Sequence, residues 1–381
     1  MPRRARRWVR MSVDRVRDGR QDLRAETRVH RASGGIGVRF APSRPRPDFG
    51  GRDRAFRPQS LSRSFRIQEN FMRHSTLVRL LSVLFVAGLV SACGARTTAL
   101  VSDVDAATAA TAEGDFEALV QAGWDAWAER SSIESTRAAI AAWEEASTVE
   151  TPEGVSRREA LFPVLHMLSR AYYWYGDFHL QYADAVENRN DQRHAAYTRG
   201  MEVGRTAIAL NNTAWTETLQ AGERIRDAAA HLMMDDIDAA YWYAVNISRW
   251  ALMEGTPTIL RNTPDIRAVM ERVRELDEDY FYGAANRYFG VFHTRLPLGN
   301  PDRDLARENF EQAIERFPQY LDNRYLFVMD WAAPRNREIA EEQLQAIMDF
   351  DLDSAPEIRP ENEASQHKAR LVLEDLDRYF R

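Results

Sequence analysis

From about residue 114 to the end, apolar residues recur at intervals of three and four, and strand-like alternation is nearly absent. The cleanest window runs from Asn300 to Pro318. There Asn300 is the expected N-cap, Pro301 suits the first helical position, and Asp302 and Asp304 complement the helix dipole. Ala306, Phe310, Ala313, Ile314 and Phe317 then fall on one helical face, and Pro318 ends the element. The pattern predicts an all-α chain. Long connections are expected near 147–156, 256–264, 295–300 and 332–336, where Pro, Gly, Asn and Thr interrupt the periodicity.

The same window spaces a small residue, an aromatic and a second small residue as the second helix of a tetratricopeptide hairpin does. Ala139, Trp143 and Ala146 repeat the spacing, while Leu168, Tyr172, Gly176 and Phe178 look like a first helix running into a reversal at Gly176-Asp177. The repeats are degenerate and carry insertions. About ten to twelve helices are expected, in an irregular tetratricopeptide-like superhelix of helical hairpins forming one domain, residues 114–381.

Two runs of consecutive aromatics break the amphipathic pattern: Tyr172-Tyr173-Trp174-Tyr175 and Tyr241-Trp242-Tyr243. Neighbouring helical positions point about 100° apart, so three in a row cover about 200°, wider than an ordinary buried stripe. Either these helices are surrounded by protein, or one aromatic of each run faces a cavity. Trp174, Tyr175, Tyr241, Trp242 and Tyr243 are therefore candidate ligand-binding residues. Asn246, Asn286 and Arg287 lie close by in the sequence and could orient a ligand or satisfy a buried partner.

Upstream, the chain is a different polymer. Residues 1–71 hold 19 Arg and 7 acidic residues, whereas residues 72–381 hold 32 basic and 50 acidic residues, and the two parts sum to the net charge of −6. The first segment lacks periodic apolar residues and reads as a disordered or upstream leader. From Met72 comes a charged start (Arg73, Arg79), an apolar run Leu80–Val90, and Val90-Ser91-Ala92-Cys93. This is a signal peptide over 72–92 ending in a lipobox, with Cys93 the residue to be acylated through its thiol. The 13 residues between Arg79 and Cys93 fall short of the roughly 20 that span a bilayer. Translation from Met72 is expected. Gly94 after the cysteine, where an inner-membrane retention signal has Asp, favours an outer-membrane lipoprotein facing the periplasm. Residues 93–113, rich in Ala, Thr and Ser, read as a tether. With 30 basic and 50 acidic residues, the chain from Cys93 onward is unsuited to binding nucleic acid or anionic lipid by charge, leaving the lipid anchor as the membrane contact.

One cysteine excludes a disulfide framework or a zinc ribbon within the chain. No phosphate loop, nucleophile elbow or His-Glu-x-x-His helix is present, so neither cofactor nor metal is expected, and a non-enzyme is. His231 and Asp235 could share a helix face but are too few ligands for a metal. Acidic pairs such as Glu144-Glu145 and Asp235-Asp236 are expected on the solvated face.

Five segments together carry a family resemblance: Ala240–Trp250, Leu276–Gly283, Arg287-Tyr-Phe-Gly290, Leu296-Pro-Leu-Gly299 and Asp304-Leu-Ala-Arg307. Pro360-Glu-Asn362 and Leu376–Phe380 extend it toward the C-terminus. The combination resembles the TatT family, the tetratricopeptide-like T component of tripartite ATP-independent periplasmic (TRAP) transporters, over residues 115–381. The resemblance implies a helical, non-enzymatic lipoprotein that pairs with the substrate-binding P protein of a TRAP system. It also implies a hydrophobic passage handling hydrophobic or organic-acid ligands, and a homotrimer. A general tetratricopeptide scaffold in envelope assembly is the alternative expectation.

Overall fold

The computed structural model describes residues 108–182, 186–295, 301–333 and 335–380. The leader, the signal peptide and Cys93 lie outside the described residues. Thirteen α-helices carry the described chain, and the only β feature among these residues is an isolated bridge between Ala112 and Val149. The all-α class read from periodicity is what is observed. None of the helices is long and apolar enough to cross a membrane.

The helices are α1 (Phe116–Ala128), α2 (Ile133–Thr148), α3 (Arg157–Trp174), α4 (Arg189–Asn211), α5 (Thr213–Gln220), α6 (Ile225–Ala228) and α7 (Ile237–Glu254). They continue as α8 (Thr256–Leu276), α9 (Tyr280–Thr294), α10 (Arg303–Arg316), α11 (Asp322–Leu326), α12 (Arg337–Met348) and α13 (Arg359–Glu374). Five of the thirteen starts are set by short polar side chains that satisfy orphan amides. Ser132 accepts from Ser135 N, Asn212 from Trp215 N, and Ser156 forms a reciprocal capping box with Glu159.

Successive helices pack in pairs: α1 on α2, α3 on α4, α7 on α8, α9 on α10 and α12 on α13. Helix α7 also lies on α3 and α4, which makes it the central helix of the larger core. Gly200 and Gly204 of α4 permit that approach. A Cβ on Gly200 would meet Asn246 Oδ1 at 2.5 Å, and one on Gly204 would meet the Tyr243 backbone at 3.1 Å. A second core gathers α10 to α13 around Phe310, Leu321, Trp331 and Leu344. Thr111 N and Ala112 N both donate to Thr148 O, so the chain is already pinned to the end of α2 before α1 begins.

Several local expectations are corrected. The cap of α10 is Asp302, which accepts from Leu305 N at 3.0 Å, leaving Pro301 outside the helix. Residues 256–264 are not a connection but the first turns of α8, which starts after Gly255 (φ 97°) with Pro257 in its first turn and absorbs Pro264 in its interior. Nor does the chain reverse at Gly176-Asp177. Helix α3 runs on through a π-helical stretch, Tyr175–His179, and a 3-10 turn, Leu180–Tyr182. Gly176 is needed there because the Tyr197 ring sits where its Cβ would point, at 2.7 Å. Asp236 is buried, not solvated, accepting from Asn211, Asn212 and Met233 N. His231 and Asp235 sit on separate 3-10 turns divided by extended backbone at Leu232 and Met233.

Candidate functional site

A cavity of about 130 Å³ opens between α3 and its π-helical extension, α7, α9, the helix from Asp322 to Ala332, and Glu361 of α13. Its wall is largely aromatic. The Phe281 ring stands at the centre, 5.0 Å from Trp242, 5.8 Å from Tyr241 and 5.6 Å from Tyr320 between centroids. Trp174 stacks on Phe178 at 4.1 Å, and Tyr173 packs on Trp242 at 5.7 Å.

Three backbone irregularities of the described chain contribute to this wall. The π-helical stretch after α3 supplies Phe178. A second π-helical stretch, Phe327–Ala332, continues α11 and supplies Asp330. At the start of α9, Phe281, Tyr282 and Gly283 are three successive left-handed residues, with φ of 43°, 58° and 74°. Left-handed backbone costs about 1–2 kcal/mol for each residue with a Cβ, so Phe281 and Tyr282 store about 2–4 kcal/mol. The surroundings hold it in place. Arg287 donates to the carbonyls of Tyr282 (3.3 Å) and Phe281 (3.4 Å), and Asn323 Nδ2 donates to Tyr282 O at 3.2 Å. The Tyr282 ring lies parallel to Tyr320 at 5.0 Å. Strain and π-helical turns of this kind gather at functional sites, because ordinary packing does not select for them.

The charges are paired, with an excess of one sign. Arg249 meets Asp177 at 2.8 Å, Lys368 meets Asp322, and Arg295 meets Asp330. Glu361 is shared between Arg130 (2.7 Å) and Arg170 (2.9 Å). Arg287, only 5% exposed, has no carboxylate within ion-pair distance among the described residues. Its guanidinium instead donates to Asn323 Oδ1 (2.7 Å), the Tyr241 hydroxyl (3.1 Å) and the two carbonyls of the left-handed turn. Six cations (Arg130, Arg170, Arg249, Arg287, Arg295, Lys368) thus face four carboxylates (Asp177, Asp322, Asp330, Glu361), an excess of two positive charges in an acidic protein. Burial works against charge on Arg287, yet the oxygens of Tyr241, Tyr320 and Asp322 around it raise its pKa above the ordinary value. Glu361 behaves likewise: burial pushes its pKa up, and Arg130 and Arg170 more than offset this. The chain's sole lysine, Lys368, is buried behind the cavity with its ammonium 4.4 Å from the Phe178 ring and 4.6 Å from that of Tyr325.

Of the residues singled out in the sequence, Trp174, Tyr241, Trp242 and Arg287 meet at this cavity. Four others lie elsewhere. Tyr243 points from α7 to the opposite side, edge-on to Trp215, and burial pushes its hydroxyl up to about 12. Asn246 is sealed in the α3–α4–α7 interface, donating to Ser169 O and Trp242 O. Tyr175 lines a separate shallow groove with Tyr172 and Arg199, its hydroxyl accepting from Arg137. Asn286 is buried with no partner for Nδ2. Sequence reasoning passed over Arg170, Phe281, Asp322, Asp330 and Glu361. Phe281 and Glu361 sit within the segments that carry the family resemblance, and Asp322, Leu326 and Asp330 have the i, i+4, i+8 spacing of a single helix face.

Fold and site together define an all-helical protein built around a buried, aromatic, cationic cavity. The TRAP transporter T-component family matches residues 163–380, more than half of the chain and every element that lines the cavity; the chain belongs to this family. Membership associates it with TRAP transport, as an accessory component and not as a known kind of enzyme. No curated protein matches the chain.

Proposed function

We propose that this chain is the lipid-anchored binding and adaptor component of a TRAP uptake system. Acylated at Cys93 and facing the periplasm from the outer membrane, it pairs with the substrate-binding P protein through its tetratricopeptide-like hairpins. The cavity receives a hydrophobic or organic-acid ligand, with no bond made or broken in it. The observation that carries this reading is the convergence of both π-helical stretches and the left-handed turn on one aromatic cavity with unneutralised arginine charge. A protein that only scaffolds other proteins has no use for buried, strained, cationic walls; its work is done on exposed faces. Aromatic rings supply apolar contact without long flexible side chains to immobilise, and the surplus guanidinium charge favours an acid over a neutral molecule.

The adaptor role is tested by titrating the purified full chain, in detergent, with the P protein encoded beside a TRAP permease in the same genome. A saturable complex is expected. Absence of binding, with both proteins folded, overturns pairing while leaving the cavity to be tested separately.

A further inference from the structure

One imidazole joins the cavity wall to the turn between α1 and α2. His179 closes the π-helical stretch Tyr175–His179, and its Nε2 meets polar atoms from three segments. Thr136 Oγ1 of α2 is at 2.9 Å, Arg130 O of the turn after α1 at 3.0 Å, and Trp174 Nε1 of α3 at 3.1 Å. The Trp174 N–H is shared, since it also donates to Arg130 O at 2.9 Å, and Thr136 Oγ1 donates to the same carbonyl at 3.2 Å. Trp174 is a cavity residue, stacked on Phe178. Arg130 reaches the cavity too, because its guanidinium pairs with Glu361.

These contacts suit one form of the ring. An indole N–H only donates, so the Trp174 hydrogen aimed at Nε2 requires a lone pair there, which places the proton of the neutral ring on Nδ1. A proton on Nε2 would face the indole hydrogen. It would turn to Thr136 Oγ1 or to Arg130 O, and at that carbonyl Trp174 and Thr136 already occupy both lone pairs. Either way Trp174 loses its share of Nε2.

The charged groups around the ring favour the neutral form at pH 7. Burial holds the His179 pKa below its ordinary value; Arg130 O and Glu134 of α2 work against this, and Arg137 of α2 works with it. The other charges packed on the π-helical stretch are engaged elsewhere: Arg193 of α4 with Gly176 O, Asp177 with Arg249, and Lys368 of α13 with Asp322.

We propose that His179 is a positioning residue that makes the cavity wall respond to acid: neutral, it accepts the Trp174 indole N–H and holds that ring in place; protonated, it competes with the indole for Arg130 O and releases the ring. Imidazole is the side chain whose charge ordinarily changes between pH 5 and pH 8. The claim concerns the wall itself, and its bearing on uptake rests on the reading of the cavity as a ligand site.

Nitrogen-15 labelling of the nine tryptophans in the purified full chain tests it without any ligand, so the outcome is independent of that reading. The indole signal that disappears in Trp174→Phe should shift between pH 8 and pH 5, with a midpoint below 6.5. The shift should vanish in His179→Gln, whose side chain does not titrate. It should persist in His194→Gln, which removes a half-exposed imidazole paired with Glu254. A Trp174 signal that stays put across this range, or that moves equally in His179→Gln, overturns the proposal. If His179→Gln does not fold, the unaltered chain decides alone: the absence of a Trp174 midpoint below 6.5 overturns it.

Discussion

Arg130 and Glu361, 231 residues apart in sequence, meet as a two-point ion pair, Nε to Oε1 at 3.1 Å and Nη2 to Oε2 at 2.7 Å. Both are buried, and Arg170 takes Glu361 Oε1 from the cavity side at 2.9 Å. The pair ties the turn after α1 to the first turn of α13, and so closes the ends of the described chain on each other. Removing one partner of a buried pair leaves the other charge uncompensated. Glu361→Gln should therefore lower unfolding free energy by about 3–5 kcal/mol. Chemical denaturation at pH 7 checks this; a loss below about 1 kcal/mol would mean the pair is dispensable.

The same carboxylate sets an acid limit. The Glu361 pKa is lowered below 4.5 in the folded protein, and Asp322 is lowered below 3.8: burial raises it, and the Lys368 ammonium more than offsets that. A depressed folded value means stability that is complete above the unfolded value and lost as pH falls through the folded one. Stability should drop as pH falls below about 4.5, and the drop should be shallower in Glu361→Gln. Denaturation midpoints between pH 6 and pH 3 provide the comparison.

Asp330 has the opposite sign. Its pKa is raised by burial, with Arg295 opposing, so between 3.8 and its folded value the native state holds a proton that the unfolded chain has released. Its contribution therefore declines as pH rises through that window and is unfavourable at pH 7. Asp330→Leu should be neutral or stabilising by about 1 kcal/mol at pH 7, since a buried oxygen, Oδ2, with no hydrogen-bond partner among the described residues is removed. Thermal unfolding of the variant beside the parent checks it; a clear fall in Tm would show that the carboxylate supports the fold.

Gly283→Ala probes the left-handed turn. Gly283 has φ 74°, and a Cβ there would lie 3.2 Å from the Phe317 ring. Backbone strain alone should cost about 1–2 kcal/mol. Gly154→Ala shares the strain, at φ 81°, but meets nothing within 4 Å, so the difference between the two variants isolates the steric part. Equal losses would mean that Phe317 yields freely.

What the sequence disclosed, and what it hid, divides along local and non-local physics. The all-α class was legible because periodicity is local: Ala306, Phe310 and Ala313 are buried on one face of α10 as their spacing requires. The aromatic run Tyr241-Trp242-Tyr243 was legible as an anomaly, but which ring faces which space depends on neighbours far away in the chain. Tyr241 and Trp242 line the cavity, and Tyr243 meets Trp215. Pro264 read as a breaker, yet α8 accommodates it in its interior. The left-handed turn was hidden most completely, since Phe281 and Tyr282 have no intrinsic preference for positive φ and are held there by Arg287 and Asn323. The partnerless Asp330 Oδ2 leaves no mark on the sequence beyond its helical spacing from Asp322.

The most direct measurement is a crystal structure of the chain with 4-hydroxyphenylacetate. The carboxylate should lie beside the cavity's arginines, with the ring against Phe281 and Trp242. An empty cavity, or the acid bound in the groove beside Tyr175 instead, would contradict the account.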